Sequence, residues 1–306
     1  MQKQGRADAY FKRIIFLFGA SIPLLLLMLL ALLISRSWLS IETFGFGFIF
    51  SSFWDPMAEQ YGALPFIYGT VMSSFIALLI AVPLGLGCAV YLSEVSKSVI
   101  KEYLSVMVEM LAAIPSVVYG LWGIFVLAPW IAGSVQPALQ AVFGFLPFFQ
   151  GPFSGLSMLS GGVILAIMIL PIITALSREI FQAVPNNLRE SAMALGATKW
   201  ETLKLAVLGP ARSGIIGAII LALGRAMGET MAVTMVIGNR PDISASFFQP
   251  GYTLASVIAN EFAEAVSDLN LSVLIELGLV LLVLTLIVNG LARILIWKTT
   301  AKTLIQ

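Results

Sequence analysis

The chain has no histidine, one cysteine and only 11% charged residues among its 306. Each scarcity closes a class of function. Without imidazole and with one thiol there is no Cys/His catalytic pair and no set of ligands for a structural zinc ion. A lone cysteine cannot found a disulfide framework, and Cys88, in "LGLGCAVYL", reads as a small buried apolar residue. No Gly-Lys dipeptide occurs, so no Walker A loop is present to cradle nucleotide phosphates. If ATP drives this protein, another chain hydrolyses it. The net charge of +1 provides no bulk field for nucleic acid, which leaves the distribution of charge to carry the information.

Hydrophobic residues, in contrast, are abundant: they make up 59% of the chain, and its mean hydropathy is +0.98. Soluble domains carry roughly 25% charged residues, so this composition is that of a membrane protein. About 20 apolar helical residues cross a bilayer core about 30 Å thick. Six stretches qualify, at 14–35, 65–92, 104–131, 158–177, 213–238 and 272–296. None alternates with the period of a barrel strand, so the expected fold class is all-α, a polytopic membrane protein with six transmembrane helices. Pro83, Pro115 and Pro171 fall inside three of these spans and are expected to kink them. The first stretch follows a basic leader at 1–13. It is longer than a signal-peptide core, and "SRSWLSIE" offers no cleavage site, so the expectation is a retained first helix. No linker or repeat separates a soluble domain.

Orientation follows from loop cations. Lys3, Arg6, Lys12 and Arg13 precede the first span; Lys97 and Lys101 follow the second; Arg178, Arg189, Lys199, Lys204 and Arg212 follow the fourth; Arg293, Lys298 and Lys302 end the chain. Only Arg36 and Arg240 lie on the other side, among Glu42, Asp55, Glu59, Asp242, Glu261, Glu264 and Asp268. Both termini, the tail at 298–306 included, are therefore expected in the cytoplasm. Acidic outer loops do not gather anions, so a binding site has to act locally.

The longest inner connection, 178–212, predicts two short helices. Asn187 with Glu190, and Thr198 with Glu201, have the spacing of capping boxes, and Gly196 supplies a left-handed residue between them. The first helix, near 188–195, is too short to persist alone in water and needs something to dock against. That is either its own bundle or a partner subunit.

Within this loop "ESAMALG" resembles the EAA loop of the binding-protein-dependent ABC importer permeases. Glu190, Ala192, Gly196 and Leu208 match the pattern, Ser191 and Ala206 depart from it, and Pro210 arrives one residue late. The resemblance implies a MetI-like permease fold, with a core at 65–297, and a loop that seats in the groove of an ATPase subunit.

The second feature is "LALGRAMGETMAVTMVIGN" in the fifth span. Arg225 lies too deep to snorkel, and a lipid-facing arginine costs at least about 2.5–3.5 kcal/mol. It must face protein or a hydrated cavity. Glu229, four residues on, is expected on the same helical face and able to share charge with it. Gly224 and Gly228 form a small-xxx-small pair that would admit another helix. The pair is either a structural ion pair or an anion route, because guanidinium matches a tetrahedral oxyanion through two parallel hydrogen bonds. Glu109 and Glu276 are expected near opposite interfaces, within reach of water. Asn289 reads as an interhelical hydrogen bond, and Met227, Met231 and Met235 as one packed face.

This stretch, "VEMLAAIPSVVYGLWGIFVL" and "GFLPFFQGPFSGLSMLSGGVILAIMILPIITALSREIFQAVP" together resemble the phosphate importers among those permeases, from about residue 65 to the end. The resemblance implies a phosphate route at Arg225 and Glu229. It also implies a sister permease, a dimer of ATP-binding subunits and a phosphate-binding protein as partners; no cofactor or metal is expected. Three other readings stand beside it: a permease for sulfate or molybdate, an intramembrane enzyme using Glu229, and a non-transporting assembly or sensing subunit.

Overall fold

A computed structural model of the chain describes residues 6–96 and 98–303. Lys3 of the leader, Lys97 and the last three residues of the tail lie outside the described residues. Among the described residues the principal helices of the bundle are named here in chain order. Helix α1 is Arg6–Arg36 and α2 is Trp38–Phe44; α3 is Leu64–Val95, α4 Ser98–Ala112 and α5 Ser116–Phe143. Helix α6 is Met158–Ala183, α7 Asn186–Ala194, α8 Lys199–Met227, α9 Met231–Val236, α10 Leu254–Glu261 and α11 Asp268–Thr303. Among the described residues six helices are long and apolar enough to cross a membrane: α1 from Tyr10, α3, α5, α6, α8 and α11 up to Ile294.

Helices α3 and α6 run side by side in the same direction and form the centre. Their approach is set by glycine: a methyl added at Gly162 would meet Ile76, and one at Gly85 would meet Ile173 at 2.9 Å. Backbones this close also let Thr174 donate from its hydroxyl to the Gly85 carbonyl at 3.3 Å. Around this pair Ile76, Ile164, Ile169, Ala222, Val236 and Phe248 form the main core. Burial on α6 is the deepest of the six spans, which suits a helix packed on several sides. Helix α1 is the opposite case: the most apolar stretch of that helix is unburied by the rest of the chain, and its neighbours are α2 and α11. It lies at the edge of the bundle.

Three sequence expectations change. The third span is not 104–131. Pro115 ends the run, because the residue before a proline avoids helical geometry and the ring cannot donate. Helix α4 therefore stops at Ala112, and the span starts afresh at Ser116 and reaches Phe143. Pro83 and Pro171 do remain inside helices. Cys88 is exposed rather than buried, since Gly85 and Ala89 turn the other face of α3 inward. The fifth span, expected at 213–238, is broken between Met227 and Met231, and α8 begins well before it, at Lys199. Ahead of Pro210 the backbone of α8 widens into a π-helix over Leu203–Leu208, the usual accommodation where a proline ring would strike the carbonyl four residues back.

Candidate substrate cavity and loop

Helix α8 ends where the charged residues begin. The Gly228 N–H reaches back to the Gly224 carbonyl at 3.3 Å, Thr230 donates to the Gly228 carbonyl at 3.4 Å, and the chain turns into α9. Arg225 occupies the last turn of α8 and Glu229 precedes the first turn of α9. Each charge thus sits at the helix end whose partial charge is opposite to its own. This corrects the expected geometry: Glu229 is not one turn along the same helix, and the two side chains form no ion pair.

Depth follows from register. A methyl at Gly214 would meet the Ile180 side chain at 2.8 Å, which fixes the antiparallel run of α8 on α6. From residue 214 to residue 225 a helix rises about 16 Å. That brings Arg225 opposite the middle of α6, as far from either end as the sequence implied.

Arg225 and Glu229 line one cavity of about 870 Å³, together with Ile172 of α6, Gly217, Ile220, Leu221, Gly224 and Gly228, and Asn289 and Arg293 of α11. Arg225 is exposed within the single chain and Glu229 half-exposed, so the cavity opens on the flank of the bundle. The small residues serve this opening rather than helix contact. Gly217 has nothing near it, Gly224 has only the Asn289 amide at 3.9 Å from an added methyl, and Gly228 meets only the Gly224 carbonyl. Gly214, by contrast, is pressed against Ile180 of α6, while Gly224 only touches α11. The methionines also divide: Met227 is buried and Met235 packs by Gly120, but Met231 is half exposed.

Arg293, expected among the cations of the tail, is placed differently. It belongs to α11, one turn beyond Asn289 on the cavity side. The four-residue spacing of Asn289 and Arg293 was the available signal.

The loop at 178–212 folds as two helices joined at Gly196, whose φ of 85° is left-handed. Thr198 and Glu201 form a full capping box: the Thr198 side chain accepts from the Glu201 N–H, and Glu201 accepts from Thr198. These bonds hold the Glu201 carboxyl below its ordinary pKa of 4.5. The box expected at Asn187 and Glu190 does not form. Helix α7 starts earlier, with Pro185 in the capping position and no side-chain cap, which leaves Asn187 inside the first turn. The side chain that fixes α7 is Arg189. It donates to both oxygens of Glu94 at 2.8 and 3.2 Å, to the Val184 and Phe181 carbonyls at 2.6 and 2.7 Å, and to Asn186 Oδ1 at 3.1 Å. One guanidinium thereby ties α7 to the ends of α3 and α6. Glu190, Ala192 and Gly196 remain uncovered or half covered on the outside of this hairpin.

The other acids separate. Glu109 is exposed and paired with Arg178 at 2.9 Å. Glu276, expected to reach water, is 6% exposed under α2, with its Oε2 lacking a partner. Among the described residues no group of three or more His, Cys, Asp or Glu could hold a metal ion.

A family model described as "Binding-protein-dependent transport system inner membrane component" matches residues 81–300. A phosphate transport system permease protein PstC of Mesorhizobium japonicum is 48% identical over 89% of this chain and 84% of its own length. The protein of the same description from Pasteurella multocida is 44% identical over 96% of this chain and 93% of its own. Among solved structures, a bacterial ABC transporter involved in import of the acidic polysaccharide alginate aligns over 96% of this chain and 99% of its own, with a TM-score of 0.54 at 16% identity. The inward-facing MetNI methionine ABC transporter aligns over 78% and 94%, with a TM-score of 0.53 at 16% identity. At such identities these two structures speak for the fold alone.

Proposed function

The chain belongs to the binding-protein-dependent transport system inner membrane components, and on that premise we propose a reading of its cavity. The protein is a multi-pass permease of a phosphate ABC transport system in the inner membrane, and ATP is hydrolysed by a separate subunit. Phosphate passes along the cavity at Arg225 and Glu229 by alternating access. Both termini and the 178–212 loop face the cytoplasm, in keeping with thirteen cations on that side, Arg293 of the cavity aside, against two on the other.

The observation that carries this reading is the pair of unjoined charges at the helix break. An arginine at mid-depth without an internal partner is tolerated only beside water, an anion or another protein surface. The cavity opens on the flank of the bundle, so a sister permease is the natural second wall, and the substrate lies between the two. A phosphate-binding protein delivers it from outside. A dimer of ATP-binding subunits grips the α7 hairpin, whose uncovered face includes Glu190, Ala192 and Gly196. Closure of that dimer moves α7, and Arg189 passes the movement to α3 and α6. Beside Glu229 the cavity offers arginines and an amide but no second acid or base, which favours passage of an anion over hydrolysis.

The test is uptake of labelled phosphate by the complete reconstituted transporter, with Arg225→Gln and Glu229→Gln made singly and together. The expected result is loss of uptake in Arg225→Gln that the second change does not repair. Uptake restored by the double change would make the two charges a structural couple and end the route reading. Competition by sulfate and molybdate in the same assay measures how far the site prefers phosphate.

A further inference from the structure

We propose that Asn289 and Arg293 of α11 form a second anion-holding pair in the same cavity, one that receives phosphate from Arg225 on its way toward the α7 end of the bundle. This rests on the route reading above and extends it by naming the next contact.

The placement is set by helix geometry. A methyl at Gly224 would lie 3.9 Å from the Asn289 amide nitrogen, so Asn289 is level with the last turns of α8. Helices α8 and α11 run in opposite directions, and α11 continues from there toward the end of the bundle where α7 lies. Four residues add about 6 Å, which puts Arg293 a turn below Asn289 and beside the lower lining residues Gly217, Ile220 and Leu221. The cavity therefore has a guanidinium near its deep end and another near the α7 side, with an amide between them.

An interfacial anchor would point away from the cavity, with the lipid-facing side chains of its helix. At 100° per residue Ile287, Leu291 and Ile294 lie on the far side of α11 from Asn289, whereas Arg293, with the exposed Leu286, is on the Asn289 side, and Arg293 lines the cavity. The charge balance points the same way. Arg225, Arg293 and Glu229 leave the cavity one positive charge in excess, and none of the three is ion-paired among the described residues. Two guanidiniums share this cavity with a single carboxylate, so an anion that enters it meets positive charge that Glu229 does not fully offset. Phosphate, with several oxygens to share among two forks and an amide, fits between such donors, and its passage from one guanidinium to the next needs no bare charge in between.

The complete transporter, reconstituted in vesicles, is assayed for labelled phosphate uptake at varied external phosphate. Rates are divided by the amount of assembled complex. Arg293→Gln is expected to lower the maximal rate about tenfold, the size of one lost charge-assisted hydrogen bond. The half-saturating concentration should change far less, because capture occurs earlier on the route. Asn289→Ala should show the same pattern more weakly, and Arg293→Lys should lie between Arg293→Gln and the native protein. A native maximal rate in Arg293→Gln overturns the proposal. If Arg293→Gln does not assemble, Arg293→Lys decides: a native rate there makes Arg293 an interfacial anchor and also overturns it. Arg225→Gln is the control that separates the two readings. Lost uptake there with intact uptake in the Arg293 variants removes only the second pair; intact uptake in both removes the route itself.

Discussion

At one end of the bundle Glu261 is held on several sides. Trp54 Nε1 donates to its two oxygens at 3.2 and 3.1 Å, and the Tyr252 hydroxyl, itself bonded to Asn260 at 3.0 Å, donates to it at 3.5 Å. The rings form a chain beneath it, with Trp54 edge-on to Phe66 at 4.7 Å and Phe66 edge-on to Tyr252 at 5.3 Å. At mid-depth, Arg225 and Glu229 share a cavity with Arg293, and none is ion-paired among the described residues. The same fold thus keeps one acid half-buried and satisfied while leaving its mid-depth cation open. A satisfied buried group fixes structure; an unsatisfied one beside an opening is free to hold something else.

The difference is breakable. Replacing Arg225 with glutamine should cut phosphate uptake per assembled transporter by about ten- to a hundredfold, the range for a lost hydrogen bond to a charged group. Replacing Glu261 with glutamine keeps the shape and one acceptor, and uptake should stay within about twofold of native. Equal losses in the two variants would erase the contrast between them.

The Arg189 clamp sharpens the comparison, because it is a charged cluster of the satisfied type placed on the hairpin proposed to meet the ATPase. Arg189→Gln removes the fork to Glu94 and the bonds to two carbonyls. It should lower phosphate moved per ATP hydrolysed by about three- to tenfold while hydrolysis continues. Arg189→Lys, with charge but no fork, should recover part of the coupling. A fall in uptake and hydrolysis by the same factor would assign the clamp to assembly instead.

These contrasts were unequally legible in the sequence. Spans are visible because about twenty apolar residues in a row have few other uses. The Gly196 turn and the Thr198–Glu201 box are visible because their chemistry closes within three residues. Asn187 misled for a local reason: Pro185 already begins the helix, so the asparagine falls inside it. Pro115 misled because hydropathy runs smoothly across a break that only backbone geometry makes. Arg225 was identified by depth alone, but the end of α8 at Gly228 separates it from Glu229 and hides the true arrangement. Arg293 was the furthest from reach, since a cation near the end of a span looks like any cytoplasmic flank. Only the packing of α11 on α8, far apart in sequence, turns it into the cavity.

The smallest expected effect lies at the satisfied end, and it has a sign. Burial is the main cause that pushes the Glu261 carboxyl above its ordinary 4.5, and the donors Trp54 and Tyr252 offset part of it. A group whose folded pKa exceeds its unfolded value favours the fold most while protonated. That contribution is full below about 4.5 and is lost as pH rises through the raised folded value. The purified protein should therefore lose a little thermal stability from this site on going from mildly acidic to neutral pH. Glu261→Gln, neutral throughout, should flatten that part of the pH profile, and Trp54→Phe should steepen it, because removing the indole donor leaves the carboxylate less compensated. Melting temperatures of the three proteins between about pH 4.5 and 7 measure this. A Glu261→Gln profile parallel to the native one would mean that the carboxyl titrates as if in water, and that the aromatic end is no drier than the cavity.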